Sequence, residues 1–308
     1  MKKALLPLLS AALLLFVAGC GGNVDPDDVV FPDPATKDQA VSIEFNQGEV
    51  LKLELPNRLG NSGEIVTVTI PQIDLSEANR YILLIDEQFT KANMGSIKAA
   101  WTGRYTFDRN ANLYRLDGFG VISIKDKLCK IEPTFVKANL PSYEIPANIK
   151  KIITSGNLMA NLCRTWKVSS VHIKVQGGKN NVNFSKGFEN GCDLHEIGVF
   201  CKEKGVSLSD ADIKALEGYK VSEILLEGNN NIIISFNAAD AFYGTYSANG
   251  NSFSWKLTNS NQIIAANADG KVSFDKKAQT AELAMNTIVR GGGETYNAVF
   301  TFNLAPVN

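Results

Sequence analysis

Cys192, His195 and Cys201 are residue types that bind zinc, and they stand close together in the chain. Cys192 and His195 are three positions apart and would share one face of a helix, but Cys201 does not complete a usual zinc spacing. His195 and Glu196 would begin the helical metalloprotease motif, but Val199 occupies the position of its second histidine. The sequence therefore predicts no metal site and no cofactor.

Catalytic motifs are also missing from the sequence. The chain has neither the Gly-X-Ser-X-Gly elbow of hydrolases nor the phosphate-binding loop of nucleotide hydrolases, and it has only two histidines. Paired acids do occur at Asp86-Glu87 and at Asp210 with Asp212, but these pairs lie in predicted turns or at a helix start, where acids serve solvation and the helix dipole. We therefore predict that the protein is not an enzyme and that it has no catalytic residues.

Aromatic side chains of the C-terminal half are the candidate ligand-binding residues. In a barrel or sandwich they would hold an apolar ligand or stack against a sugar ring, or alternatively they would only fill the core. A barrel of eight strands has room for little beyond its own side chains or one small ligand. The candidates are Trp166, Phe236, Tyr246, Phe253, Trp255 and Phe302.

The elements that must position these residues are β-hairpins. Phe253, Trp255 and Leu257 alternate with polar residues and would share one face of a strand. Asn249-Gly250 is a strong hairpin signal, and Asp269-Gly270 predicts a second turn, between strands at 262–267 and 271–274. Consecutive hairpins with one apolar face predict an antiparallel meander, which must close into a barrel or pack as a sandwich.

A helical insertion interrupts this meander at about 190–218. The spacing predicts one helix over about 193–204 and a second over about 210–217, with Ser209 as its N-cap. Cys192 and Cys201 would face opposite sides of the first helix, about 13.5 Å apart, which is too far for a disulfide. We therefore expect these two cysteines, with Cys129 and Cys163, to be free thiols that behave as small buried hydrophobes.

The N-terminal half also has strand-like patterns and predicts a second antiparallel β-domain. We place the domains at 40–145 and 150–308, because prolines and polar residues interrupt the apolar pattern between them. Residues 101–105 and 242–246 share an aromatic-X-Gly-X-Tyr pattern, which indicates an internal duplication. The alternative is a smaller sandwich that is unrelated to the second domain.

The N-terminus predicts export. Two lysines precede an apolar run that is too short for a membrane span, as in a secretory signal covering residues 1–19. Val17-Ala18-Gly19-Cys20 resembles the signal of bacterial lipoproteins, which implies that Cys20 is acylated and becomes the new N-terminus. A plain signal peptide with a chance cysteine is the alternative. Residues 20–39, rich in acids, Gly and Pro, then predict a flexible tether.

The C-terminal half resembles the lipocalin-like domains of Bacteroides-type outer-membrane lipoproteins. The resemblance covers about 156–308 and consists of a Thr-Trp-Lys-Val strand at 165–168, two helices, and hairpins around 243–246. It implies a meander barrel with a ligand site in its mouth. The sequence departs from true lipocalins in its inserted helices. It also lacks a Gly-X-Trp triplet, because Arg164 stands where the glycine would be.

These observations predict an all-β, mostly antiparallel protein with two β-domains, the C-terminal one a lipocalin-like barrel with a two-helix insertion. The formal net charge of −1 argues against a nucleic-acid partner. We expect a lipoprotein of the outer membrane, facing the cell surface or alternatively the periplasm. It would act as a binding module for a small apolar or glycan ligand, or alternatively as a structural or accessory protein that presents its β-domains to an envelope protein partner.

Overall fold

The computed structural model describes residues 37–45, 51–56, 65–87, 97–134, 142–154, 156–236, 240–258, 263–275 and 279–307. The predicted signal at 1–19, Cys20 and most of the predicted tether lie outside these residues. Within the described ranges, no helix has both the length and the apolar character needed to cross a bilayer.

Nine antiparallel strands form the first sheet. They are β1 (Val41–Phe45), β2 (Leu51–Pro56), β3 (Ile65–Leu75), β4 (Arg80–Glu87), β5 (Ile97–Asp108), β6 (Leu113–Leu116), β7 (Gly120–Lys125), β8 (Leu128–Pro133) and β9 (Tyr143–Lys151). Strand β1 pairs with both β3 and β9, which closes a ring of eight strands, while β2 pairs with β3 outside that ring. The N-terminal domain is therefore a barrel rather than a sandwich.

Ten antiparallel strands form the second sheet. They are β10 (Thr165–Gly177), β11 (Val182–Glu189), β12 (Cys192–Asp193), β13 (Lys220–Leu226), β14 (Asn231–Phe236), β15 (Asp240–Asn249), β16 (Ser252–Leu257), β17 (Asn267–Asp275), β18 (Thr280–Gly291) and β19 (Glu294–Pro306). Strand β10 pairs with both β13 and β19 and so closes a second ring of eight. The predicted all-β fold of two antiparallel domains is confirmed.

Three short α-helices accompany the barrels in the part of the chain that the structure describes. Helix α1 (Gly156–Leu162) leads into β10, and α2 (Leu194–Glu203) and α3 (Asp210–Lys214) form the predicted insertion between β12 and β13. The Asp193 carboxylate accepts from two backbone N–H groups at the start of α2. Ser209 and Asp212 form a reciprocal capping box at the start of α3.

The second barrel contains a large apolar core that includes all six aromatic candidates. Trp166 and Phe302 are fully buried, and Tyr246 and Trp255 are only 4% exposed. The rings pack against one another, as in the stacked pair of Tyr246 and Phe253 at 5.5 Å between centroids. These side chains therefore fill the barrel interior, and a ligand-binding role for them stays a prediction.

One predicted hairpin is wrong. Asp269-Gly270 does not form a turn but lies in the middle of β17, where Gly270 pairs with Phe253 on one side and Met285 on the other. A Cβ atom on Gly270 would collide with the carbonyl oxygen of Ala284. This glycine therefore permits a close approach of two strands, whereas Gly250, with a φ of 54°, forms the turn that was expected there.

The first barrel extends beyond the predicted boundary. The proposed break at 146–149 lies inside β9, whose first half pairs with β8 and whose second half pairs with β1. Pro146 stands where the pairing with β8 ends, so its missing N–H disrupts neither ladder. The prolines in this stretch accompany a strand that changes partners, and the chain leaves the first barrel only after Lys151.

The two barrels have the same topology. In each, the first strand pairs with both the second and the last strand of the ring, and every other strand pairs with its neighbours in sequence. Tyr105 and Tyr246, the last residues of the repeated sequence pattern, lie on the equivalent strands β5 and β15. This match supports the internal duplication.

Candidate functional site

Two equivalent turns face each other where the barrels meet. Residues 76–80 join β3 to β4, and residues 227–231 join β13 to β14. Each turn is closed by the same pair of backbone hydrogen bonds, and each has an asparagine of positive φ at its fourth position, with φ of 61° at Asn79 and 66° at Asn230. Asparagine tolerates this left-handed conformation better than most residues.

A tyrosine secures each turn to its own barrel. The hydroxyl of Tyr105 donates to the carbonyl oxygen of Ser76 at 2.7 Å, and that of Tyr246 donates to the carbonyl oxygen of Glu227 at 2.9 Å. The backbone N–H of each tyrosine donates to the carbonyl of the left-handed asparagine. The repeated tyrosine therefore holds the turn in place, and we call the region where the two turns meet the junction.

The junction buries three carboxyl groups, which we call the carboxyl cluster. Asp74 and Glu77 come from the first barrel and Glu227 from the second, and their exposed fractions are 0%, 2% and 0%. The backbone N–H of Gly228 donates to Oε1 of Glu77 at 3.0 Å across the junction. Acids are rarely buried unless they are paired or hydrogen-bonded, so each of them requires a partner.

Asp74 is the hub of this cluster. It accepts hydrogen bonds from the side-chain amides of Gln72 at 2.8 Å, Asn229 at 3.1 Å and Asn231 at 2.8 Å. Ser42, directly opposite on β1, also bonds to the Asp74 carboxylate. Two of these donors belong to the other barrel, so Asp74 joins the barrels through hydrogen bonds. Burial raises the pKa of Asp74, and the four donors oppose that rise.

Glu227 lies beside Asp74, and the side-chain amide of Asn231 donates to both carboxyl groups, at 3.3 Å and 2.8 Å. Burial, followed by the nearby charges of Asp74 and Glu77, raises the pKa of Glu227 well above its usual range. An interaction with the Asp74 side chain also raises the pKa of Glu227, whereas the hydrogen bond from Asn231 opposes the rise.

Glu77 is the third member of the carboxyl cluster. Burial raises its pKa from 4.5 to about 7, and hydrogen bonds from the Gly228 backbone and the Cys163 thiol oppose part of that rise. The sulfur of Cys163 also lies 3.4 Å from the hydroxyl oxygen of Tyr246. Buried polar and ionisable groups of both barrels therefore form one network at the junction.

Apolar contacts and one ion pair flank this network. Ile82 of β4 packs in a small cluster with Leu225, Ile233 and Ala241 of the second barrel. Beside them, the Arg80 guanidinium lies 3.2 Å from the Glu223 carboxylate, with side chains 14% and 24% exposed. The two barrels thus share a continuous interface of hydrophobic, ionic and hydrogen-bonded parts.

A groove of about 420 Å³ opens to solvent above the carboxyl cluster, and we call it the junction groove. This volume is in the range of small-molecule sites. Three of its lining residues are the amide donors to Asp74, so the hub fixes part of the groove wall. The lining residues are Ser42, Glu44, Gln72, Lys150, Lys151, Ile152, Ile153, Gly228, Asn229 and Asn231.

The sequence candidates and this site overlap at one residue. Tyr246 touches the carboxyl cluster through Glu227 and Cys163, but none of the six aromatic candidates lines the junction groove. Sequence reasoning missed Asp74, Glu77 and Glu227. The available signal was Asp74 between Ile73 and Leu75, an acid inside an apolar strand.

The cysteines and histidines lie elsewhere. Cys129, Cys163, Cys192 and Cys201 are free and buried, and burial raises the pKa of the Cys201 thiol to about 12. His195 lies in the first turn of α2, where its backbone N–H donates to the Asp193 carboxylate. Among the residues the structure describes, no group of three or more His, Cys, Asp or Glu side chains has an arrangement that could hold a metal ion.

Comparison with known proteins gives little further information. No protein-family model matches the chain, and no curated protein matches it. Solved structures with some likeness include a tryptophan variant of the vaccine antigen transferrin-binding protein B from Haemophilus parasuis, at 10% identity, and a tyrosine–tryptophan double variant of the same antigen, at 9%. Both matches cover 89% of this chain and 67% of the other, with a TM-score of 0.24, which is too low to indicate a shared fold or function.

Proposed function

We propose that the protein is a lipid-anchored, non-catalytic binding protein of the bacterial cell envelope. Its ligand would be a small glycan, which would bind in the junction groove. The observation that carries this proposal is the groove itself, which lies between two barrels and is lined by hydroxyl, amide and charged side chains. Small-molecule sites commonly occur at domain interfaces of this kind.

The chemistry of the groove favours a glycan over an apolar ligand. Ser42 and the amides of Gln72 and Asn229 offer the hydrogen-bonding groups that sugar hydroxyls require, and Ile152 and Ile153 offer apolar surface for the C–H face of a sugar ring. The aromatic side chains that a lipid would contact are packed together inside the second barrel. An apolar ligand would have to displace them.

A second candidate function is the presentation of the β-domains to an envelope protein partner. It is favoured by Ile153, which is 68% exposed at the rim of the groove. A large apolar side chain in this position would be covered by a docked protein. Recovery of the protein from outer membranes in a fixed complex, bound through the groove, would support this function over ligand binding.

Ligand binding is tested by thermal-shift screening of the mature protein against glycans and lipids. We expect stabilisation by at least one glycan and loss of that stabilisation in Ile153→Asp, which places a charge at the groove rim. Leu128→Asp is the matched control, because Leu128 is also an exposed apolar residue, at 38%, but does not line the groove. A protein that no glycan stabilises would contradict the proposal, and stabilisation by lipids alone would favour the apolar alternative.

Lipid anchoring is tested separately at Cys20, which lies outside the described residues. We expect metabolic labelling with palmitate to mark the native protein and not the Cys20→Ser variant, since an acylated N-terminal cysteine with two or more chains anchors a protein stably. The variant should also leave the outer-membrane fraction. Unlabelled native protein would show that residues 1–19 are a plain signal peptide.

A further inference from the structure

The chain contains two Asn-Gly pairs, and the fold surrounds them differently. They are Asn190-Gly191, between β11 and β12, and Asn249-Gly250, at the turn between β15 and β16. Asparagine followed by glycine is especially prone to deamidation, because glycine has no side chain to hinder attack by its own backbone nitrogen. Each pair is therefore a candidate site of spontaneous modification, and its reactivity depends on the freedom of the glycine N–H group.

Deamidation proceeds through a ring that forms between the two neighbouring residues. The backbone nitrogen of the glycine loses its proton and attacks the side-chain amide carbon of the asparagine. The amide NH2 group takes up that proton and leaves as ammonia, which closes a succinimide ring. Water then opens the ring at either of its two carbonyl carbons. The products are aspartate and isoaspartate, and each carries one more negative charge than asparagine.

The fold shields the first of these pairs. The backbone N–H of Gly191 donates to the carbonyl oxygen of Ser169 at 3.3 Å, and that of Asn190 donates to the same oxygen at 2.8 Å. Gly191 is also buried, and a Cβ atom there would lie 2.9 Å from the carbonyl oxygen of Val221 on β13. Since the attacking nitrogen is hydrogen-bonded and packed against β13, ring closure requires this segment to open first.

The second pair lacks both constraints. Asn249 and Gly250 are exposed, and within the described ranges the N–H of Gly250 donates to no other group. The pair stands at a two-residue turn, because Asn249 pairs with Ser252 across the hairpin. A turn at the end of a hairpin opens at little cost in free energy, since few contacts must be broken. The Gly250 nitrogen can therefore reach the Asn249 amide while the rest of the barrel stays folded.

We propose that Asn249 is a site of deamidation in the folded protein, whereas Asn190 is protected by the fold. The inference depends neither on the ligand of the junction groove nor on the lipid anchor. Conversion of Asn249 adds a carboxylate at the end of the second barrel. The isoaspartate product also adds one carbon to the main chain, so it disrupts the pairing of Asn249 with Ser252, the last pair of the β15–β16 hairpin.

The test is incubation of the mature protein at pH 8 and 37 °C, followed by proteolysis and fragmentation mass spectrometry that assigns each product to one residue. We expect the folded protein to accumulate aspartate and isoaspartate at position 249. Conversion at Asn190 should be slower by about tenfold or more, which corresponds to the cost of opening one buried hydrogen bond. A folded protein that converts Asn190 as fast as Asn249, or that leaves Asn249 intact, would overturn the proposal.

The same chain unfolded in guanidinium chloride is the matched control. Neither glycine nitrogen is held in place there, so we expect the two pairs to react at similar rates. A tenfold difference that persisted in the unfolded chain would show that flanking residues, rather than the bond to Ser169, protect Asn190, and it would overturn the structural argument. In the folded protein, Asn249→Gln should abolish the product at this position, because glutamine would have to close a larger and less favourable ring.

Discussion

Replacing Asp74 with alanine is expected to lower the free energy of unfolding by about 3–5 kcal/mol, because several hydrogen-bond donors lose their common acceptor at once. The substitution removes the common acceptor of Gln72, Asn229 and Asn231 and the partner of Glu227. Each polar group left buried without a partner costs about 1–3 kcal/mol. Urea denaturation at pH 6, followed by circular dichroism, measures the loss.

Glu144→Ala is the control for this prediction. Glu144 is an exposed acid on a strand of the same barrel, so its removal should change the free energy of unfolding by no more than about 0.5 kcal/mol. We also expect the Asp74 variant to lose contact between its barrels before either barrel unfolds, because two of the three amide donors come from the second barrel. A loss below about 1 kcal/mol would contradict the role of Asp74 as the hub.

Trp166→Ala is expected to cost about 3–5 kcal/mol, as is typical when a large aromatic side chain is deleted from a core. Trp166 is fully buried at the closing seam of the second barrel, where β10 pairs with β13 on one side and β19 on the other. Deletion therefore leaves a cavity at the position where the ring of strands closes. The loss is measured by urea denaturation of the mature protein.

Trp166→Phe separates packing from hydrogen bonding at the same position. Phenylalanine keeps most of the apolar volume but loses the indole N–H, which donates to the carbonyl oxygen of Leu162 at 2.9 Å. We expect a cost of about 1–2 kcal/mol, from one buried hydrogen bond and a small loss of volume. Equal losses in the Phe and Ala variants would show that the ring volume contributes nothing to barrel closure.

The junction has the character of a symmetric interface formed within one chain. The equivalent strands β5 and β15 lie against each other, the equivalent turns 76–80 and 227–231 meet, and Ile82 and Ile233, in the strands that follow those turns, share one apolar cluster. In a two-fold dimer the same surface of each subunit makes the contact. The junction has the same arrangement, with the two barrels of one chain in place of two subunits. The polar residues of the two barrels differ, because Asp74 and Glu77 occur only in the first barrel.

Alternation of apolar and polar residues was sufficient to predict most of the strands. Phe253, Trp255 and Leu257 lie on the buried face of β16 as expected, because a side-chain period of two follows from strand geometry alone. The start of α3 could also be predicted from neighbouring residues, since Ser209 and Asp212 form a capping box within one turn. Features of this kind depend on residues that are neighbours in sequence, so one sequence contains all the information needed.

The tertiary structure alone decided the features that depend on distant partners. Asp269-Gly270 is a typical turn sequence. In the structure, however, the Ala284 backbone of the next strand lies so close to Gly270 that only glycine fits there. Strand β9 was missed because its two halves pair with strands on opposite sides of it. The carboxyl cluster could not be found from the sequence, because Asp74 and Asn231 are 157 positions apart. The burial that gives such acids their chemistry exists only once both barrels have folded and met.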